Sequence, residues 1–210
     1  MLMEKISKNK QKEVNKLLSN KERNKTKLFL VFDLASIKKA KQLGLLKEAY
    51  ETNDGVVGIV KFLPHKSLGK KIIYLDEISD PSNLGKIIYL MKKYGFKDLM
   101  LSPNSVSLYN EKCLAIAKEN IFDINLSYGD INTLRKLKED YQIVATGLKS
   151  NTYLDKLKLK DKFVLVFGNE SRGVNASILK LAHDVIKIDI KNIDSLNVAV
   201  SASIIFSHIA

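Results

Sequence analysis

The sequence predicts an α/β fold with a mainly parallel sheet. The strongest sign is the pattern from residue 71 onward, where short apolar runs of strand length alternate with segments carrying apolar residues every three or four positions. Strands alternating with helices call for a sheet covered by its crossover helices. The bulk properties agree: 210 residues can bury a full core, and 45% hydrophobic with 28% charged residues is ordinary for a globular chain.

The elements follow in order. A helix is expected over 8–19, with one narrow apolar stripe of Val14, Leu17 and Leu18. KLFLVF at 27–32 reads as a buried strand, 35–43 as a short helix ending near Gly44, and 55–62 as a second strand. Residues 63–70 are polar and carry Pro64 and Gly69, which places a boundary between a small domain over 1–65 and a larger one over 70–210. In the larger domain strands are expected at 71–75, 98–101, 122–125, 142–146, 162–167 and 184–190. Helices are expected at 83–94, 109–118, 131–141, 176–183 and 195–208. Ligands of such sheets sit beyond the carboxyl ends of strands, so the loops after Leu75, Leu101, Phe167 and Ile190 are where a site belongs.

Charge points to a polyanion. The net charge is +12, and the first 27 residues hold Lys5, Lys8, Lys10, Lys12, Lys16, Lys21, Arg23, Lys25 and Lys27 against Glu4, Glu13 and Glu22. Neutralising phosphates releases counterions, which makes a nucleic acid the expected partner of this region. A solvated helix face is the plainer reading of the same residues. No apolar run approaches the ~18 residues of a membrane span, and the lysine-rich start has no apolar signal core. A lone cysteine, Cys113, excludes an internal disulfide, suits a reducing cytoplasm and is expected as buried packing. There is no Gly-x-Gly-x-x-Gly, Walker loop, cysteine pair or His-x-x-x-His; His65, His183 and His208 are scattered and are read as structural or surface residues.

Three segments carry the chemistry. DPSNLG (80–85) follows a strand and opens a helix that Ser82 or Asn83 can cap, and a helix start is an anion site. GNESRGV (168–174) follows VLVF and precedes a helix, with two glycines that let backbone approach a ligand or turn tightly. DSLNVAVSAS (194–203) opens the last helix, where Ser195 is an N-cap by type.

In this order and spacing the three segments resemble the three motifs of the SpoU/TrmH branch of the SPOUT RNA methyltransferases. The resemblance runs from about residue 72 to the C-terminus. More weakly, residues 6–31 resemble the entry to that family's ribosomal-protein-like substrate-binding domain, which looks shortened here. It implies a SPOUT-type α/β knot, a deep trefoil in which the C-terminal segment threads a loop, and a homodimer. It implies S-adenosylmethionine as cofactor and methyl transfer to RNA, on a ribose 2′-hydroxyl of rRNA or tRNA, with no metal. By the same resemblance Asn83, Glu170, Ser195 and Asn197 are the catalytic residues. The cofactor would lie against Leu101, Thr146, Gly168, Asn169, Glu170, Ile188, Ile190, Ser195, Leu196 and Asn197. RNA would meet Lys8, Lys10, Lys12, Arg23, Lys25, Lys86 and Arg172.

The chain also departs from the family. An arginine six residues after the motif asparagine is Tyr89 here, and a phenol offers no forked cation. After YNEK (109–112), where the family carries an Arg-x-Ser stretch, the chain has Ala115, Ala117 and Glu119; Asp189 replaces a family proline. Two other readings therefore stay open: a non-catalytic RNA-binding or ribosome-assembly protein on the same fold, and a base methyltransferase, which the SLN motif disfavours.

Overall fold

In the computed structural model of the chain, which describes residues 3–190 and 195–210, two sheets lie in sequence. The first contains β1 (Glu4–Lys5), β2 (Leu28–Val31), β3 (Leu46–Thr52) and β4 (Gly55–Lys61) in the order β1-β3-β4-β2, with α1 (Lys8–Lys16), α2 (Asn20–Thr26) and α3 (Leu34–Gln42) beside it. β1 pairs parallel with β3, and β4 pairs antiparallel with both β3 and β2.

The second sheet is all parallel. Its strands are β5 (Lys71–Leu75), β6 (Asp98–Leu101), β7 (Asn125–Tyr128), β8 (Gln142–Thr146), β9 (Thr152–Tyr153), β10 (Phe163–Phe167) and β11 (Asp184–Lys187), in the order β7-β6-β5-β10-β8-β11-β9. Its helices are α4 (Pro81–Lys93), α5 (Glu111–Ala117), α6 (Ile131–Leu137), α7 (Ala176–Leu181) and α8 (Val198–Ile209).

Side-chain alternation along the central strands divides the apolar residues between two cores. Ile73 and Leu75 of β5 and Phe163, Leu165 and Phe167 of β10 pack with α4, α5 and α8. Ile72, Tyr74, Val164 and Val166 pack with α6 and α7. Strands covered on both faces read as continuous apolar runs for this reason. The first core extends into the N-terminal sheet: Phe29 lies 4.7 Å from the Tyr109 ring, Phe62 stacks on that ring at 3.9 Å, and the Tyr109 hydroxyl accepts from Leu63 N at 3.0 Å. The linker between the sheets is thus fastened to α5's entry rather than free.

Several expectations shift. The helix expected at 8–19 stops at Lys16, and a second, unexpected helix begins at Asn20; Ser19 is extended between them and the Arg23 guanidinium takes the carbonyls of Leu17 and Leu18 at 3.0 and 2.6 Å. β3 was not expected; its polar alternation hid it, although Asn53-Asp54-Gly55 is a hairpin turn signal. The strand expected at 122–125 begins at Asn125, since Ile121 and Phe122 are buried in a 3-10 turn. The strand expected to Ile190 ends at Lys187. Neither Ser82 nor Asn83 caps α4; Asp80 does, accepting from Ser82 N at 2.8 Å with Pro81 in the first turn. Ser195 does not cap α8 either; Asn197 does, accepting from Ala199 N at 2.9 Å.

α4 and α8 run side by side in the same direction. Asn83 meets Asn197 near their starts, and Tyr94 lies 6.2 Å from Phe206 near their ends. The fully buried Phe206 also meets Phe96 at 4.7 Å and Phe167 at 5.8 Å. Burial of one phenylalanine contributes about 1.5–3 kcal/mol, which seats α8 on the sheet. α4 also approaches α5 closely: a Cβ at Gly85 would lie 2.7 Å from the Cys113 carbonyl oxygen and 2.9 Å from Ile116 Cβ. Cys113 is buried there, and burial pushes its thiol up to about 12. Among the described residues no helix is long and apolar enough to cross a membrane.

Replacement of Gly85 by alanine should therefore destabilise the protein by about 1–3 kcal/mol through overpacking against backbone, outweighing the helix propensity gained. Urea denaturation checks this; a stability equal to or above that of the wild type would show that α5 yields freely.

Candidate active site

The loops beyond β8, β10 and β11 and the start of α8 meet around a cavity of about 540 Å³. Its walls are largely apolar, with Phe167, Val174, Leu179, Val185, Val198 and Ile205 among them. This volume lies within the range of about 300–1,000 Å³ typical of sites for small ligands.

At one side of the cavity stands the Glu170 carboxylate. Its Oε2 accepts from Ser79 N at 3.2 Å and Ser79 Oγ at 3.0 Å; its Oε1 accepts from Asp80 N at 3.2 Å and Asn83 Nδ2 at 3.0 Å. Asn83 is buried, and its Oδ1 accepts from Asn197 Nδ2 at 3.0 Å. A row Glu170–Asn83–Asn197 thus joins all three sequence segments. Partial burial pushes the Glu170 carboxyl up, but the hydrogen bonds from Asn83 and from backbone N–H groups outweigh it and hold the group below its ordinary value. Glu170 is therefore ionised at neutral pH.

The 168–175 loop is held tightly. A Cβ at Gly168 would lie 2.1 Å from Gly173 C and Val174 N, so only glycine fits. Asn169 and Gly173 exchange backbone hydrogen bonds at 3.1 and 2.9 Å, and Asn169 Nδ2 donates to Glu77 O at 2.7 Å. Asp76, whose carboxyl is pushed up by burial, accepts from Asn175 N at 2.8 Å. Glu77 adopts a left-handed φ of 54°, a strained conformation for a non-glycine residue. Its N–H donates to Ser102 Oγ at 2.7 Å, and its carboxylate accepts from Arg172 Nη2 at 2.5 Å and Asn104 Nδ2 at 3.1 Å. Sequence reasoning missed Ser79, Asp76 and Glu77. Only the strand-end rule, applied to the residue after Leu75, pointed to them.

The expected cofactor residues Thr146, Gly168, Asn169, Glu170, Ile188, Ile190, Ser195 and Leu196 all line the cavity. Two do not. Leu101 is fully buried in β6 within the core, so its placement against the cavity is corrected, and Asn197 faces Asn83 instead. The sequence order of strands misled for Leu101, because β6 lies on the far side of β5 from β10.

The expected RNA residues are dispersed. Lys8, Lys12, Lys25, Lys86 and Arg172 are exposed. Lys10 is engaged with Glu48 at 2.7 Å and Glu13 at 3.5 Å. Arg23 is 4% exposed, with its guanidinium on backbone carbonyls, so the expected RNA contact is corrected to a structural one. Tyr89 is exposed on α4, with Lys93 Nζ 5.2 Å from its ring centre. His183 Nδ1 accepts from Ile143 N at 2.9 Å, a structural role. Among the described residues no three His, Cys, Asp or Glu side chains are grouped to hold a metal ion.

Comparison with known proteins places the chain among RNA-modifying enzymes' relatives by similarity. Residues 70–207 match the SpoU rRNA Methylase family. The chain is 27% identical over 158 residues to the 23S rRNA (guanosine(2553)-2′-O)-methyltransferase RlmP of Bacillus subtilis, covering 73% of this chain and 64% of that one. It is 33% identical over 157 residues to an uncharacterized tRNA/rRNA methyltransferase of Mycoplasma genitalium, covering 70% and 63%. The match thus spans slightly less than two thirds of each relative's length. In fold, the chain superposes on an AdoMet-bound rRNA methyltransferase from Sinorhizobium meliloti with a TM-score of 0.87 at 20% identity, over 98% of this chain and 95% of that one.

Glu170→Gln should cost about 1–2 kcal/mol at pH 7, since the amide nitrogen replaces one oxygen and sets a donor against the two donors that oxygen accepted from. The ionised carboxylate's contribution is complete above its unfolded pKa and is lost as pH falls through the lower folded value. The gap between wild type and variant in urea unfolding should therefore close on acidification; a gap independent of pH would contradict this.

Proposed function

Because the chain belongs to the SpoU rRNA methylase family, we propose that it is an S-adenosylmethionine-dependent RNA methyltransferase acting on a ribose 2′-hydroxyl of rRNA or tRNA. The observation that carries this reading is the Glu170–Asn83–Asn197 row beside an apolar cavity of nucleoside size. The residues present suit the cofactor: apolar walls for an adenine ring, with Leu196 on one side and Ile188 and Ile190 on the strand-end loop. Bound S-adenosylmethionine supplies a methyl group on a sulfonium, open to in-line attack.

The chain's own part is positioning. Asn83 has both ends of its amide engaged, so its orientation is set; one Nδ2 hydrogen and one Oδ1 lone pair remain to hold the substrate ribose. Ser195 lies exposed at the cavity wall, where its hydroxyl can border the same ribose. Glu170 acts through Asn83 as a positioning residue. Its acceptors are occupied and its pKa is lowered, which makes it a poor base for the ribose proton. No metal takes part in this scheme.

The finer architecture follows from the same reading. The C-terminal segment threads a loop of the larger domain as a trefoil knot, supported by the return of α8 from the β11 side to α4. The protein works as a homodimer, supported by exposed Tyr89 on α4 and exposed Val200 and Ile204 on the paired helix α8; the cytoplasm is the compartment its rRNA-modifying relatives' names suit. The N-terminal sheet and its helices form the RNA-docking domain, supported by exposed Lys8, Lys12 and Lys25. One observation favours a second reading, a non-catalytic RNA binder: Tyr89 brings no forked cation to a position where the resemblance expects one.

Labelled methyl transfer from S-adenosylmethionine to total rRNA and tRNA from a strain lacking the protein, with nucleoside analysis, separates the two. A 2′-O-methylated nucleoside is expected, with Asn83→Ala and Ser195→Ala each lowering transfer by more than about a hundredfold while cooperative unfolding is retained. Full transfer by both variants would refute the site assignment. Absent transfer beside saturable RNA binding would select the second reading. RNA affinity should also fall steeply between low and physiological salt; a flat profile would remove the basic N-terminus from the interface.

A further inference from the structure

A second cavity, of about 660 Å³, lies in the N-terminal part of the molecule, away from the cavity beside Glu170. Its floor is the small apolar cluster of Val14, Leu30 and Val57, each almost fully buried. One wall is α1, whose Lys8, Gln11, Lys12 and Asn15 recur at steps of three and four and so share one stripe. Lys5 of β1 adds a third cation to the lining. Phe32, just past β2, lines the same cavity and is 48% exposed.

The cavity around this half-exposed ring has a defined chemistry. The acidic members of the lining are Asp54, on the β3–β4 turn, and Glu111, at the start of α5. The cationic wall is therefore that of α1 and β1, set within a segment of strongly positive charge. Lys10, on the same helix, is drawn off by Glu48 and does not belong to this wall. Gln11 Nε2 donates to Asn15 Oδ1 at 2.8 Å. Among the described residues Gln11 Oε1 and Asn15 Nδ2 make no hydrogen bond within the protein, so the ordered amide pair presents an acceptor and a donor side by side.

Resting on the reading of the chain as an RNA-acting protein, we propose that this cavity is a capture site for one unpaired nucleotide of the RNA substrate. The base stacks on Phe32, its edge meets the Gln11–Asn15 amides, and its flanking phosphates run along Lys5, Lys8 and Lys12. A paired base cannot enter, because its faces are covered by its neighbours and its edge by its partner; unpaired bases can be splayed onto an aromatic ring. The site selects a loop or bulge at a distance from the methylated ribose, whereas phosphate contacts alone select nothing.

The test uses the full chain, a single-stranded oligoribonucleotide carrying 4-thiouridine, and the same oligonucleotide annealed to its complement. Binding is read by fluorescence anisotropy across salt concentrations, and crosslinked peptides by mass spectrometry. The single strand should bind more tightly than the duplex and crosslink to peptides containing Phe32 or α1. Phe32→Ala should weaken single-strand binding about tenfold with an unchanged salt slope and melting temperature. Lys8→Gln with Lys12→Gln should lower the slope by about 1.4. Unchanged affinity in a folded Phe32→Ala protein, equal affinity for the duplex, or crosslinks confined to other surfaces would each overturn the proposal; the last outcome would turn the cavity over to a protein partner. Wild-type methyl transfer is measured alongside. Transfer without any Phe32 effect removes the capture site alone, and a Phe32 effect without transfer removes the methylation reading alone.

Discussion

A single carboxylate organises the C-terminal half of this molecule. Glu170 accepts from Ser79, Asp80 and Asn83, some ninety positions away in sequence, and Asn83 passes the connection on to Asn197. Each bond is modest alone, on the order of 1.5–3 kcal/mol when a charge is involved. Their joint effect is geometric, since they set the start of α4, the 168–175 loop and the start of α8 against one another. The same donors that satisfy this partly buried charge lower its affinity for protons, so anchoring the loops and acting as a proton acceptor are competing roles for one group.

The tolerances around that anchor are small. Gly168 has no space for a side chain where the loop folds back on Gly173 and Val174, and Gly85 lets α4 lie directly on the α5 backbone. Glu77 completes the enclosure through backbone strain: in a left-handed conformation it reaches Ser102, Asn104, Asn169 and Arg172 at once. Strain of this kind persists where the surroundings over-determine it, and such places are commonly functional.

The basic N-terminal region is more differentiated than its charge implied. Arg23 is spent on the turn between α1 and α2, and Lys10 on Glu48, while Lys5, Lys8 and Lys12 border a cavity with an aromatic side chain. Charge counted along a sequence does not say which cations are neutralised by neighbours. Separation between charges in space decides that, and with it where a polyanion can approach.

Sequence alone was enough for the alternation of strands and helices in the larger domain, though not for β9 or the strand order, because period and composition are local properties. Apolar runs such as FVLVF and the three-and-four spacing of α4 report burial on both faces or on one, whatever surrounds them. The motif residues Asn83, Glu170 and Asn197 were legible as a set for the same reason: their types and spacing survive in one dimension. Ser82 and Ser195 look like helix caps by type, yet Asp80 and Asn197 hold those places, since capping depends on the backbone angle at which the chain enters the helix. Leu101 ends a strand as Phe167 does, but sheet order sets it on the far side of β5, inside the core. The polar strand β3, the burial of Arg23, the strained Glu77 and the cavity at Phe32 belong to the tertiary structure alone. Each arises from contacts between residues far apart in the chain, and no local pattern encodes such contacts.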